Sequence, residues 1–116
     1  MEPIPYFFDS INRSALIVRP KKHFKDWLTE IDAVTSGDDV LQDSDLYLIP
    51  DFNEEESAKK WLSKNFDLIF ADQLNNWYTD ESVWPKKRTF ALFGKWFEYS
   101  FHLTILDTVD EEVEKL

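Results

Sequence analysis

His23 and His102 are the two histidines of the chain, and a histidine beside a carboxylate can bind a metal or move a proton. His23 stands near the start of a helix-patterned stretch, and His102 lies inside an alternating one. Nothing in their spacing brings them together, so both are expected on the surface. No HExxH motif and no serine elbow between glycines is present. There is no Cys, which excludes thiolate catalysis, cysteine-based zinc sites and disulfides. Asp38-Asp39, Glu54 to Glu56 and Asp80-Glu81 are neighbours in sequence, which by itself sets no catalytic spacing between carboxylates. Gly37 and Gly94 are the two glycines, too few for a phosphate cradle. No catalytic residue, metal site or cofactor is expected.

The densest functional chemistry lies in Trp77 to Thr89, WYTDESVWPKKRT. Tyr78 and Trp84 offer aromatic faces. Lys86, Lys87 and Arg88 offer cations just before a helix start. Cations beside free helix N–H groups bind anions, and Trp and Arg anchor interfaces. Tyr78, Trp84, Lys86, Lys87, Arg88 and His102 are therefore the candidate site residues, with His102 as a candidate acid or base. The competing expectation is structural. Trp84-Pro85 would plug the core, the lysines would be solvated, and Arg88 would pair with Asp80 or Glu81. Glu98, Ser100, His102 and Thr104 form a polar strand face that could pair with another chain or hold a ligand.

Charge is the other signal. The net charge is −10, and it is uneven. From Asp26 to Ala58 there are eleven acidic residues and no Lys or Arg. Such a coat gives solubility, or attracts a basic partner. It disfavours general nucleic-acid binding, which needs a basic footprint.

These residues must be positioned by ordinary elements. The 116 residues suit one domain, 1–116. The apolar fraction is 43% and the aromatic fraction 16%, enough for a core without staples. Met1 to Asn12 reads as an irregular arm broken by Pro3 and Pro5. Arg13 to Arg19 reads as a strand buried on both faces, with Pro20 opening the next helix. Phe24, Trp27, Leu28 and Ile31 make a one-sided helix over Lys21 to Asp32. Thr35 to Asp43 is a polar loop around Gly37, and Asp45 to Pro50 a second strand.

A long helix follows, with Asn53 and Glu56 as a capping box. Its stripe runs from Ala58 to Trp77, with a break near Asn65-Phe66 that could split it. Thr89 caps a short helix, Phe90 to Trp96. Phe97 to Ile105 alternates as a third strand. The expected fold is α+β, in the order β-α-β-α-α-β. It has a small three- or four-stranded sheet and about three helices mainly on one face. The first helical crossover permits a parallel pair.

The segments INRSALIVRPKKHFKDWL and WYTDESVWPKKRTFALFGKWF together resemble a group of small uncharacterised bacterial proteins. The resemblance implies that Asn12-Arg13-Ser14 and Trp84-Pro85 with Arg88-Thr89 belong to one shared design, and it brings no activity. The opening residues carry Glu2 where a secretion signal needs basic residues, and no stretch approaches the ~20 apolar residues of a membrane helix. The expectation is a cytoplasmic, non-enzymatic acidic interaction domain of inhibitor, immunity or regulatory type. It would bind a basic protein partner through its acidic middle or the Trp84 to Arg88 turn. The alternatives are an anion or small-molecule binder, or an enzyme, at the 78–89 loop, and a structural oligomer subunit.

Overall fold

A computed structural model describes residues 3–31 and 38–116. The fold is α+β. Strand β1 is Asp9–Ser10 and β2 is Arg13–Pro20. Helix α1 is Lys22–Ile31, and a 3-10 turn, Asp38–Gln42, precedes β3, Asp45–Pro50. Helices α2, Glu55–Asn75, and α3, Phe90–Trp96, lead into β4, Phe97–His102, and β5 is Leu106–Asp107. The expected helix end at Asp32 and the loop around Gly37 lie outside the described residues.

The main sheet has the order β3-β2-β4, and both pairings are antiparallel. The parallel pair that the first crossover permitted does not form. The chain after α1 returns to the end of the sheet where β2 finishes, so β3 begins opposite Val18 and runs the other way. Pro20 opens no helix. It closes β2, paired with Phe97, at a strand end where a missing N–H costs little.

Register divides the side chains cleanly. Leu16 pairs with Tyr47 and Phe101, and Val18 with Asp45 and Tyr99, so these share the face toward the helices. Ala15 pairs with Leu48 and His102, and Ile17 with Leu46 and Ser100, so these share the outer face. The helices fill the inner side with aromatic rings. Phe97 lies within 5.1 to 5.3 Å of Phe93, Phe24 and Phe70, measured between ring centroids. These four rings are fully buried, and each contributes several kcal/mol of burial, of the order of 3–5 kcal/mol if cut to Ala.

Helix α2 is continuous through Asn65-Phe66, where the Asn65 amide donates back to the Trp61 carbonyl at 2.8 Å. Its stripe Ala58, Leu62, Ile69, Phe70 and Leu74 is buried. No capping box forms. The cap residue is Glu54, and its side chain makes no capping bond. Glu55 and Glu56 in the first turn instead meet the positive end of the helix directly. Thr89 caps α3 as expected, its hydroxyl accepting from the Leu92 N–H at 3.1 Å.

The expected third strand stops at His102 and resumes as β5, which pairs with β1. Along β2 and β4 the partners are Ala15 and His102. Along β1 and β5 they are Ser10 and Leu106. The first strand thus spends one residue more than its partner between those pairs, and β1–β5 continues the β2–β4 ladder past a bulge. The fork is stitched by Ser14, which is fully buried. Its hydroxyl donates toward the Leu103 carbonyl at 3.1 Å and accepts from the Phe52 N–H at 3.0 Å. Ser14→Ala leaves both backbone groups without that partner and is expected to cost about 1–3 kcal/mol. A lower urea midpoint with an unchanged m-value would report it; an unchanged midpoint would show that water replaces the hydroxyl at no cost.

Candidate functional site

The 77–89 segment is consumed by the fold. Trp84 is buried, with its ring N–H donating to the Tyr78 carbonyl at 2.8 Å. Trp27 of α1 donates to the Val83 carbonyl at 2.8 Å, which ties the same loop to the first helix. Tyr78 is half-buried and meets Trp27 edge to face at 6.0 Å. Arg88 reaches Asp67 of α2 with two guanidinium nitrogens, Nε at 2.7 Å and Nη2 at 3.2 Å. Its third nitrogen donates to the Pro85 carbonyl at 3.0 Å, and its guanidinium carbon lies over the Trp84 ring, 5.8 Å from the centroid. The partner of Arg88 is therefore Asp67 and not Asp80 or Glu81. The Asp80 carboxylate accepts from the Ser82 hydroxyl and N–H, which hold it below the usual carboxylate range. Lys86 and Lys87 are exposed.

His102 is elsewhere. It stands on the outer sheet face, where its ring contacts the Ser100 hydroxyl at 3.1 Å. The sheet lies between it and the helix layer that holds Arg88. The structure thus brings Tyr78, Trp84 and Arg88 together as a packed loop and does not bring His102 to them.

The surface that remains open is β3. Among the described residues it pairs with β2 alone, so one row of its backbone N–H and C=O groups faces outward. Leu46 and Leu48 project from the outer face at 58% and 47% exposure, a large fraction for leucines inside a strand. Acidic residues mark both ends of the strand: exposed Asp43 before it and Asp45 at its first position, exposed Asp51, Glu54, Glu55 and Glu56 after it. No Lys or Arg interrupts them. The expected acidic middle also includes Asp32, which lies outside the described residues. Residues 113–115 run near the far end of this face, where Val113 and Leu48 line a cleft of about 390 Å³ with Ile11 and Arg13.

At the β3 start a polar cluster joins strand to helix. Gln73 of α2 is buried, and its amide donates to Asp45 and to the Tyr47 hydroxyl, each at 2.8 Å. The Tyr47 hydroxyl donates to Asp72 at 2.5 Å. Sequence reasoning missed this cluster because its members are 25 to 28 residues apart and none is unusual alone. A cleft of about 360 Å³ opens beside it, lined by Asp43, Asp45, Gln73, Asn76, Trp77 and Pro20. Among the described residues no group of three or more His, Asp or Glu forms a metal cage, and no helix is long and apolar enough to cross a membrane. No family model matches the chain, and no curated protein or solved structure matches it.

Burial, and next the bond to Asp72, push the Tyr47 phenol well above its ordinary value of 10.0, against a smaller opposing effect of the Gln73 bond. A raised folded value means stability that is complete below pH 10.0 and lost as pH climbs above it. Tyr47→Phe is expected to flatten that alkaline loss. Urea midpoints measured on both sides of pH 10.0 check it, and equal alkaline slopes in the two proteins would refute it.

Proposed function

We propose that the chain is a cytoplasmic, non-enzymatic interaction domain that binds a basic protein partner, in the manner of an inhibitor, immunity or regulatory protein. The observation that carries this reading is the β3 edge, an open strand with exposed leucines, set in a run from Asp43 to Glu56 that carries six carboxylates and no Lys or Arg. Exposed apolar groups beside a run of one sign of charge make a docking surface. The leucines supply area removed from water, and the carboxylates steer the partner and select its sign. The Trp84 to Arg88 turn is the weaker candidate, since the Trp84 ring N–H already donates to the Tyr78 carbonyl and Arg88 to Asp67 and the Pro85 carbonyl. Nothing of the kind is true of Asp51, Glu54, Glu55 and Glu56, whose exposed side chains are available to a partner.

Immobilised protein exposed to a bacterial extract at low and moderate salt tests this. A partner retained at low salt, weakened at moderate salt, and lost when Asp51, Glu54, Glu55 and Glu56 are changed together to Lys is the expected result. The variant Lys86→Glu/Lys87→Glu is expected to retain it. Retention that ignores the first variant and follows the second would move the site to the turn, and no retained partner at either salt would end the reading.

A further inference from the structure

We propose that β3 takes up an extended basic segment of the partner as an added strand, with one Lys or Arg side chain of that segment seated in the cleft between Asp43, Asp45 and Trp77. This rests on, and deepens, the reading of the chain as an acidic interaction domain.

The geometry follows from the pleat. Residues paired across a ladder point to the same face of a sheet. Asp45 points to the helix side, where it meets Gln73. A residue of an added strand opposite Asp45 therefore points to the helix side as well, toward the cleft at the strand's start. That cleft is lined by two carboxylates, by Trp77 and by Pro20 of β2, and has about 360 Å³ of room for one long side chain. Carboxylates hold a cation by charge-assisted hydrogen bonds, and an indole face attracts it further. Asp45 accepts one bond from Gln73, which leaves a carboxylate most of its acceptor capacity.

Residues opposite Leu46 and Leu48 point to the outer face and cover those leucines. The complementary segment thus alternates: basic residues toward the helix side, apolar residues toward the outer face. Backbone pairing supplies affinity and the alternating side chains supply selectivity.

Two other occupants fit worse. A second copy, pairing β3 with β3 in antiparallel fashion, would lay the Asp43 and Asp45 end against the Asp51 and Glu54 end, carboxylate against carboxylate. The other edge, β4, shows Glu98, Ser100 and His102 on its outer face, with no apolar residue there to cover.

A labelled peptide of alternating Lys and Val is the probe, titrated against the whole chain by fluorescence anisotropy. Binding is expected, with loss of roughly tenfold for Asp45→Lys and a similar loss for Asp43→Lys. The second variant guards against misfolding of the first, since Asp45 also holds Gln73. The same peptide N-methylated throughout keeps its charge but cannot pair, and it is expected to bind at least tenfold more weakly. Amide exchange within β3 is expected to slow on binding.

Equal binding of the N-methylated peptide would overturn strand addition while leaving a charge-driven interaction domain standing. Equal binding of an alternating Glu and Val peptide would overturn the basic selectivity. A concentration-dependent dimer that protects β3 amides would assign the edge to self-pairing instead. Failure of the Lys–Val peptide beside a partner retained in the extract experiment would refute the added strand alone. Failure of both would remove the interaction domain as well.

Discussion

The molecule depends on burying one face of a three-stranded sheet. Among the described residues β2 is the only strand paired on both sides, and its inward residues Ser14, Leu16 and Val18 are fully buried. Phe97 follows Trp96 without a break, so α3 and β4 deliver their rings into one cluster with Phe24, Phe70 and Phe93. With α1, α2 and α3 committed to that side, no element of comparable size among the described residues covers the outer face. A sheet of three strands also has two edges that no internal strand can close. The open β3 edge is therefore a consequence of how the core is built, and the choice left to the sequence was how to dress it.

That choice separates the two edges. On β4 the outward positions carry Glu98, Ser100 and His102, which discourage strand pairing. On β3 they carry Leu46 and Leu48, with the only proline at the strand's end, where it leaves the middle of the edge free. A lysine in the middle of β3 would protect it in the usual way, and none is present.

Much of this architecture was legible beforehand, for physical reasons. Phe24, Trp27 and Leu28 recur with helical period because one side of α1 meets the core. Phe97, Tyr99 and Phe101 alternate with Glu98, Ser100 and His102 because one side of β4 does. What was not legible was whatever depends on distant neighbours. The direction of β3 is set by where the chain re-enters the sheet, not by any local residue. The Arg88 partner, Asp67, lies on a helix 21 residues upstream. The bulge beside Ser14 needs two strands to be counted against each other. The turn from Trp84 to Arg88 was the sharpest instance, since tryptophan stacked on arginine is equally the composition of an interface anchor and of a well-packed loop. Only the hydrogen bonds of each nitrogen separate the two.

The acidity of the segment around β3 has a double consequence. An uncovered strand with exposed leucines is a template for pairing with any extended chain, including another copy of itself. Like charges at both ends of β3 oppose the self-paired arrangement, in which those ends meet. The same carboxylates lower the barrier for a segment of opposite sign and raise its rate of encounter. They therefore do for this edge what lysine does for many others, by repulsion of the chain's own kind, while leaving the leucines and backbone groups open to a basic partner. Neutralising the flanks would weaken both properties together, because both arise from one field.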